Sequence, residues 1–235
     1  MEYMISVITA TFNSEGTIRN LIDSLMRQTD QDFYWIVADG GSNDKTVDII
    51  NSSGIKNVDL VSEPDFGIYD ALNKAVVRCK SEYYVVIGSD DTFYCDAIEN
   101  FKKNIMDGVD IVAANILFNG KLSKPKNKPI WLVAQMAFIS SHSAATLIRT
   151  ALHDELGFYS RKYPIAADQD FIMKVGMSDD KNIIKADFIA GCFNREGVSS
   201  VDKFGALIES FRVRVDRGLN KYVQFLIFFY KFIFK

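Results

Sequence analysis

The 235 residues contain only three cysteines, Cys79, Cys95 and Cys192. They are odd in number, far apart and without any Cys-x-x-Cys or Cys/His spacing, which argues against a disulfide framework and a zinc site and predicts reduced thiols in a cytosolic chain. Glycine-rich phosphate loops are missing as well. No Gly-x-Gly-x-x-Gly follows the first strand-like run, and Gly-x-x-x-x-Gly-Lys-Ser/Thr occurs nowhere, which disfavours dinucleotide-dependent dehydrogenases and P-loop enzymes. No apolar run reaches the roughly twenty residues of a membrane-spanning helix. Met1-Glu2-Tyr3-Met4 has neither a basic stretch nor a small-residue cleavage site, so no secretory signal is expected and the chain should stay in the compartment where it is made. A net charge of −3 gives no global reason to bind nucleic acid.

What is present suits a globular α/β domain: 48% of the residues are hydrophobic and 24% charged. From residue 4 to about 115, short β-branched runs alternate with helical ones, the pattern of βαβ units around a mainly parallel sheet. Strands are predicted at Ile5 to Thr9, Phe33 to Val37, Val58 to Val61, Tyr83 to Gly88 and Asp110 to Ala113, and helices at about Gly16 to Arg27, Thr46 to Asn51, Ile68 to Arg78 and Tyr94 to Met106. Ile18, Leu21, Ile22 and Leu25 recur with helical spacing, so the first helix should bury that face. Beyond residue 115 the alternation breaks into a Lys/Pro/Asn-rich loop at 119–129, an apolar stretch from Ile130 to Ile139, helices near Thr150 to Leu156 and Asp168 to Met177, and a strand from Ile183 to Cys192. No linker or repeat divides the chain, so residues 1–220 should form one domain whose halves are 1–115 and 116–220. Residues 221–235 differ in kind: aromatics flanked by Lys221, Lys231 and Lys235 suit a helix on a membrane surface, or one that covers the core or a subunit interface.

The most informative stretch is Val85-Val86-Ile87-Gly88-Ser89-Asp90-Asp91, an apolar strand ending in adjacent carboxylates. At the carboxyl edge of an open sheet these face the usual ligand crevice, where two acids call for a cation. Mg²⁺ or Mn²⁺ fits, because such ions take one or two protein carboxylates and fill the rest of their shell with water and phosphate oxygens. The alternative is helix capping by the same acids. The second strand runs into Ala38-Asp39-Gly40-Gly41-Ser42, which sets Asp39 at the same edge, able to hold a base or ribose or only to orient the turn.

Taken together, Ile5 to Asn13, Val37 to Asp44, Glu63 to Lys74 and Gly88 to Asp91 resemble, in order and spacing, the inverting nucleotide-sugar transferases of glycosyltransferase family 2. The resemblance implies a GT-A fold, with Thr9, Thr11 and Asp39 holding the nucleoside, and Asp90 with Asp91 coordinating the metal and sugar diphosphate. The family's Asp-x-Asp motif begins here with Gly88, one carboxylate fewer. Asp70 would reach sugar hydroxyls or a ribose, Asn73 lies on a neighbouring face of the same helix, and Lys74 would reach a phosphate; Tyr69 either joins them or fills the core. Ala166-Ala167-Asp168-Gln169-Asp170 resembles the region of the catalytic base, which is Asp168, with Ala167 replacing an acid and Asp170 stabilising the turn. His142 would contact the donor diphosphate, its metal or the acceptor, or serve structurally, and Arg195 would close over the departing diphosphate. His153, beside Asp154 and Glu155, is expected to face solvent.

The donor implied is a nucleoside diphosphate sugar, UDP first, and the acceptor a hydroxyl of a growing, lipid-linked bacterial glycan, at the inner face of the membrane. Two other readings stay open. A nucleotidyltransferase shares the sheet and the carboxylates but should carry a basic glycine-rich N-terminal loop. A non-catalytic nucleotide-binding subunit of an assembly complex is suggested by Gly88 and Ala167.

Overall fold

The structure, a computed structural model, describes residues 4–193 and 202–234. The first half winds as expected: β1 (Ile5–Thr11), α1 (Ile18–Met26), β2 (Tyr34–Asp39), α2 (Thr46–Asn51), β3 (Val58–Ser62), α3 (Ile68–Arg78) and β4 (Tyr83–Val86). Strands β3, β2, β1 and β4 lie side by side and all parallel. Both faces of these strands are covered, so they read as nearly continuous apolar runs. Alternate residues enter different layers. Ile5, Val7, Trp35 and Val85 pack with Leu21 and Leu25 of α1, while Ile8, Ile36, Tyr84 and Val86 pack with Leu72 and Val76 of α3.

The second half extends the same sheet through β5 (Thr92–Phe93), α4 (Ala97–Lys103), β6 (Ile111–Phe118), β7 (Lys121–Ser123), α5 (Ile130–Val133), β8 (Thr146–Arg149), α6 (Leu152–Leu156), α7 (Ala167–Gly176) and β9 (Ile183–Phe193). The order is β3-β2-β1-β4-β8-β6-β9-β5, with β7 paired to β6. Strand β8 runs antiparallel between β4 and β6, and β9 returns parallel to β6. The predicted helix from Tyr94 to Met106 is shorter than expected. Thr92 and Phe93 pair instead with Cys192 and Gly191, and the Tyr94 amide donates to the Ala190 carbonyl at 2.9 Å. The winding order reverses at β1, with β2 and β3 added on one side and β4 on the other, which opens a crevice at the carboxyl ends of β1 and β4.

Two further helices, α8 (Lys203–Asp216) and α9 (Lys221–Phe234), close the chain. One face of α9 packs on α8 through Phe228 against Phe211, ring centroids 5.6 Å apart. Buried Gln224 donates to the Trp131 carbonyl of α5 at 2.8 Å and accepts from Arg214 of α8 at 3.2 Å. The opposite face is exposed, with Phe225, Leu226 and Phe229 at 55%, 68% and 51%. Among the described residues no helix is long and apolar enough to cross a membrane.

Candidate active site

A cavity of about 250 Å³ lies at the carboxyl edge of β1 and β4, lined by Ala10, Gly88, Asp90 and Asp91 from the first half and His142, Asp168 and Phe193 from the second, with Tyr69 of α3 between them. Strand β4 ends because the chain turns under itself: Ile87 still donates to the Ile8 carbonyl at 2.9 Å, and the Asp91 amide turns back to the Gly88 carbonyl at 3.2 Å. Both carboxylates lean over Gly88. A Cβ there would stand 2.8 Å from Asp90 Oδ1 and 2.8 Å from Asp91 Oδ2, closer than real Cβ atoms come. The glycine is therefore the cradle that lets two acids converge.

Two hard oxygen donors opening on a cavity fit a divalent cation that keeps its waters and takes diphosphate oxygens. Among the described residues no group of three or more His, Cys, Asp or Glu side chains gathers for a metal, so the remaining positions would fall to substrate and water. His142 Nε2 stands 3.6 Å from Asp91 Oδ2, and its ring stacks on Phe193 at 3.9 Å. Burial pushes the imidazole down to about 4, so it is neutral near pH 7. Nδ1 accepts the Ala144 amide at 3.3 Å, which leaves the proton on Nε2. His142 therefore faces the acids as a donor.

Asp168 sits in the first turn of α7, where the helix N-terminus favours an anion. The Tyr69 hydroxyl lies 2.7 Å from its Oδ1 and 3.0 Å from the Ile165 carbonyl. Burial pushes the Asp168 carboxyl above the usual range, and donation from Tyr69 and the backbone counters part of that rise. Burial and the neighbouring Asp168 in turn hold the Tyr69 phenol well above its ordinary value, so it stays protonated and keeps donating. A carboxylate made more basic, fixed by a phenol and opening on the cavity, is equipped to accept a proton.

The residues expected around a nucleoside are arranged differently. Thr9 is fully buried and its hydroxyl accepts from Trp35 Nε1 at 3.1 Å, inside the sheet layer rather than in the crevice. Thr11 is also buried, and its hydroxyl has no hydrogen-bond partner among the described residues. Asp39 holds its own turn: its carboxylate accepts from the Gly41 and Ser42 amides at 3.1 and 2.8 Å and from the hydroxyls of Ser42 and Ser62. The loops after β1 and β2 are laced together. Ser42 Oγ accepts from the Asn13 amide, Asn13 Oδ1 from the Asn43 amide, Asp44 from the Glu15 amide and Glu15 from the Lys45 amide, at 2.8 to 3.0 Å.

Asp70, Asn73 and Lys74 do not reach the cavity. They face a second cleft that they share with Arg161 and Glu63. Asp70 pairs with Arg161 at 2.9 Å and Lys74 at 3.5 Å, Lys74 with Glu63 at 2.9 Å, and Asn73 clamps the amide and carbonyl of Tyr159 at 3.0 and 2.9 Å. On α3 the turn that aims Tyr69 at Asp168 points Asp70 and Lys74 away, while Asn73, one turn on along the same face, stops at the Tyr159 backbone. Asp170 is buried and accepts from Arg217 Nε at 2.8 Å, as a stabiliser of the turn should. His153 departs from expectation. It is 3% exposed, bonded at Nε2 to the Tyr84 hydroxyl at 2.6 Å and stacked on Phe171 at 4.4 Å, because the sheet and α7 close over it whatever the charge of its chain neighbours. Arg195 lies outside the described residues. Phe193 was not singled out from the sequence, and nothing in its pattern distinguishes it from other strand-end aromatics.

A family model described as glycosyl transferase family 2 matches residues 6–163. The chain belongs to this family. The hyaluronan synthase of Pasteurella multocida is 28% identical over 232 residues, 93% of this family 2 chain and 23% of that protein. A PGL/p-HBAD biosynthesis glycosyltransferase of Mycobacterium bovis is 35% identical over 95 residues, 39% of this chain and 37% of that protein. The chain thus spans well under half the length of these curated relatives. In structure it is similar to Staphylococcus aureus TarS 1–349 in complex with UDP-GlcNAc, with a TM-score of 0.69 at 20% identity, covering 97% of this chain and 70% of the other. It is also similar to a mannosyltransferase of Pyrobaculum calidifontis in complex with GDP-Man and Mn²⁺, with a TM-score of 0.72 at 17% identity, covering 92% and 64%. These likenesses establish the GT-A fold.

Proposed function

We propose that this chain transfers a sugar, with inversion, from a nucleoside diphosphate sugar to a hydroxyl of a growing, lipid-linked glycan. The observation that carries the reading is the meeting in one cavity of Asp90 and Asp91 from the β4 end with Asp168 from α7. UDP is the favoured nucleotide, as in the TarS complex with UDP-GlcNAc. Asp90 and Asp91 would hold Mn²⁺ or Mg²⁺, which neutralises charge on the leaving diphosphate when bound. Asp168 accepts the acceptor hydroxyl's proton as that oxygen bonds to the anomeric carbon, while the bond to the diphosphate oxygen breaks on the opposite face with its electron pair. Tyr69 keeps the base oriented, and His142 presents an N–H to the acids and the diphosphate. The Asp39 turn shapes the nucleoside end.

The test combines calorimetry with UDP, GDP and dTDP, with and without Mn²⁺, and assay of release from the matching sugar donors. Asp168→Asn should keep nucleotide binding and lose turnover by roughly 10²- to 10⁴-fold, the usual contribution of a general base. Asp90→Ala should lose metal-dependent binding. Binding without turnover under any donor would replace the enzyme with a nucleotide-binding subunit, and full activity in Asp168→Asn would remove it as the base.

A further inference from the structure

We propose that the outer face of α9, together with α5, is a docking surface for an anionic lipid bilayer. This goes beyond the proposed transfer and does not depend on it. Helix α9 is apolar on the side away from the protein, where Tyr222, Phe225, Leu226 and Phe229 are all more than half exposed. Its inward side carries Gln224, Ile227, Phe228 and Lys231 against α8, so the helix is apolar on both sides and only one of them is covered by the protein. The bond from Gln224 to the Trp131 carbonyl joins this helix to α5, whose Trp131 is 47% exposed. Two exposed apolar elements therefore meet, and isolated surface hydrophobes are normal whereas joined ones mark an interaction site.

Charge selects the occupant. Sequence positions 119–135, which contain α5, and 218–235, which contain α9, hold seven Lys and no Asp or Glu, in a chain where 30 acids outnumber 27 Lys and Arg. Lys124 is held by Asp187 at 2.9 Å, and Lys126 and Lys128 are exposed just before α5. A basic, aromatic face on an acidic protein is complementary to anionic headgroups over hydrocarbon, where aromatics and lysine stems settle at the boundary. A second copy meets the same face with like charge, because a two-fold contact sets each basic rim against its twin. From α5 the chain runs through a 3₁₀ turn, Ala134–Ala137, to Ser141 and His142 in the cavity wall. Trp131 of the lipid contact and Ser141 of the cavity wall are thus ten residues apart along the chain.

Flotation of the full chain with phosphatidylcholine vesicles, alone or with a third phosphatidylglycerol, tests this. Binding is expected only to the anionic vesicles and should weaken with salt. It should fall at least tenfold in Phe225→Glu/Phe229→Glu, and roughly fivefold for each of Lys126→Gln and Lys128→Gln. Unchanged nucleotide binding by these exposed variants would show them folded and separate this surface from the donor site. No binding to anionic vesicles by the folded wild-type chain overturns the proposal. So does equal binding to neutral vesicles, or self-association in sedimentation that Phe225→Glu/Phe229→Glu abolishes without any vesicle binding.

Discussion

Under the proposed transfer, replacing Tyr69 with Phe removes one hydroxyl from the base and leaves its ring against Tyr159, centroids 5.6 Å apart. The hydroxyl lies 2.7 Å from Asp168 Oδ1 and favours the ionised carboxylate. A hydrogen bond to a charged group contributes about 1.5–3 kcal/mol, which corresponds to roughly tenfold to a hundredfold on the balance between carboxylate and carboxylic acid. Burial, the larger influence, then acts with less opposition, so the Asp168 carboxyl rises further in Tyr69→Phe. The base must be ionised to work, and activity is lost as pH falls through this raised value. The acidic limb of kcat/KM should therefore move to higher pH. Below both limbs the variant should be slower by about tenfold to a hundredfold. On the alkaline side the difference should shrink, because both bases are ionised and the variant's is stronger. Nucleoside diphosphate release measured across pH reads this directly. An equal loss at every pH would refute the reasoning and leave Tyr69 as packing; an unmoved limb would show that Asp168 is not the titrating base.

Gly88→Asp, which restores the missing carboxylate of the family motif, should weaken the site, since its Cβ would meet both Asp90 and Asp91 at 2.8 Å. Nucleotide binding titrated with Mn²⁺ should show affinity lower by about tenfold or more, and tighter binding would refute the cradle. Burial pushes His153 down to about 4 from an ordinary 6.5, so its contribution to stability is present above 6.5 and lost as pH falls towards 4, on the order of 3 kcal/mol. In His153→Phe the unfolding midpoint should fall less steeply over that window, His142 keeping a similar share, and an unchanged slope would contradict the assignment. Arg217→Ala removes a partner of Asp170, whose side chain is 2% exposed, and should cost about 3 kcal/mol in urea unfolding; a loss below about 1 kcal/mol would mean that Lys174 compensates.

The β1–β4 sheet was legible because each strand is buried on both faces and each helix shows a single apolar stripe. Strand β8 was not: Thr146–Arg149 is four residues long and takes its place between β4 and β6 only through long-range pairing. Asp90, Asp91, Asp168 and His142 were singled out from the sequence and share one cavity. For Asp70, Asn73 and Lys74, proximity along α3 was a poor guide: a helix rotated to present Tyr69 turns residues one and five positions on towards another cleft, and Asn73, on the same face as Tyr69, is taken up by the backbone of Tyr159 from a distant segment. The misplacement of His153 has the same origin. Asp154 and Glu155 advertise a solvated turn, whereas its burial is decided by Tyr84 and Phe171, 69 residues before it and 18 after.

The lacing of the loops after β1 and β2 has a thermodynamic side. Ser14 donates its amide to Thr46 Oγ1 at 2.7 Å, beside the reciprocal bonds of Asn13 and Glu15, so two segments 29 to 32 residues apart order each other. Their conformational entropy is surrendered when the chain folds and, under the proposed function, need not be surrendered again when a nucleotide arrives. The mould at this end is cast in advance, and the amides of residues 13–15 and 41–46 should open to solvent exchange together, as one unit rather than as two independent loops.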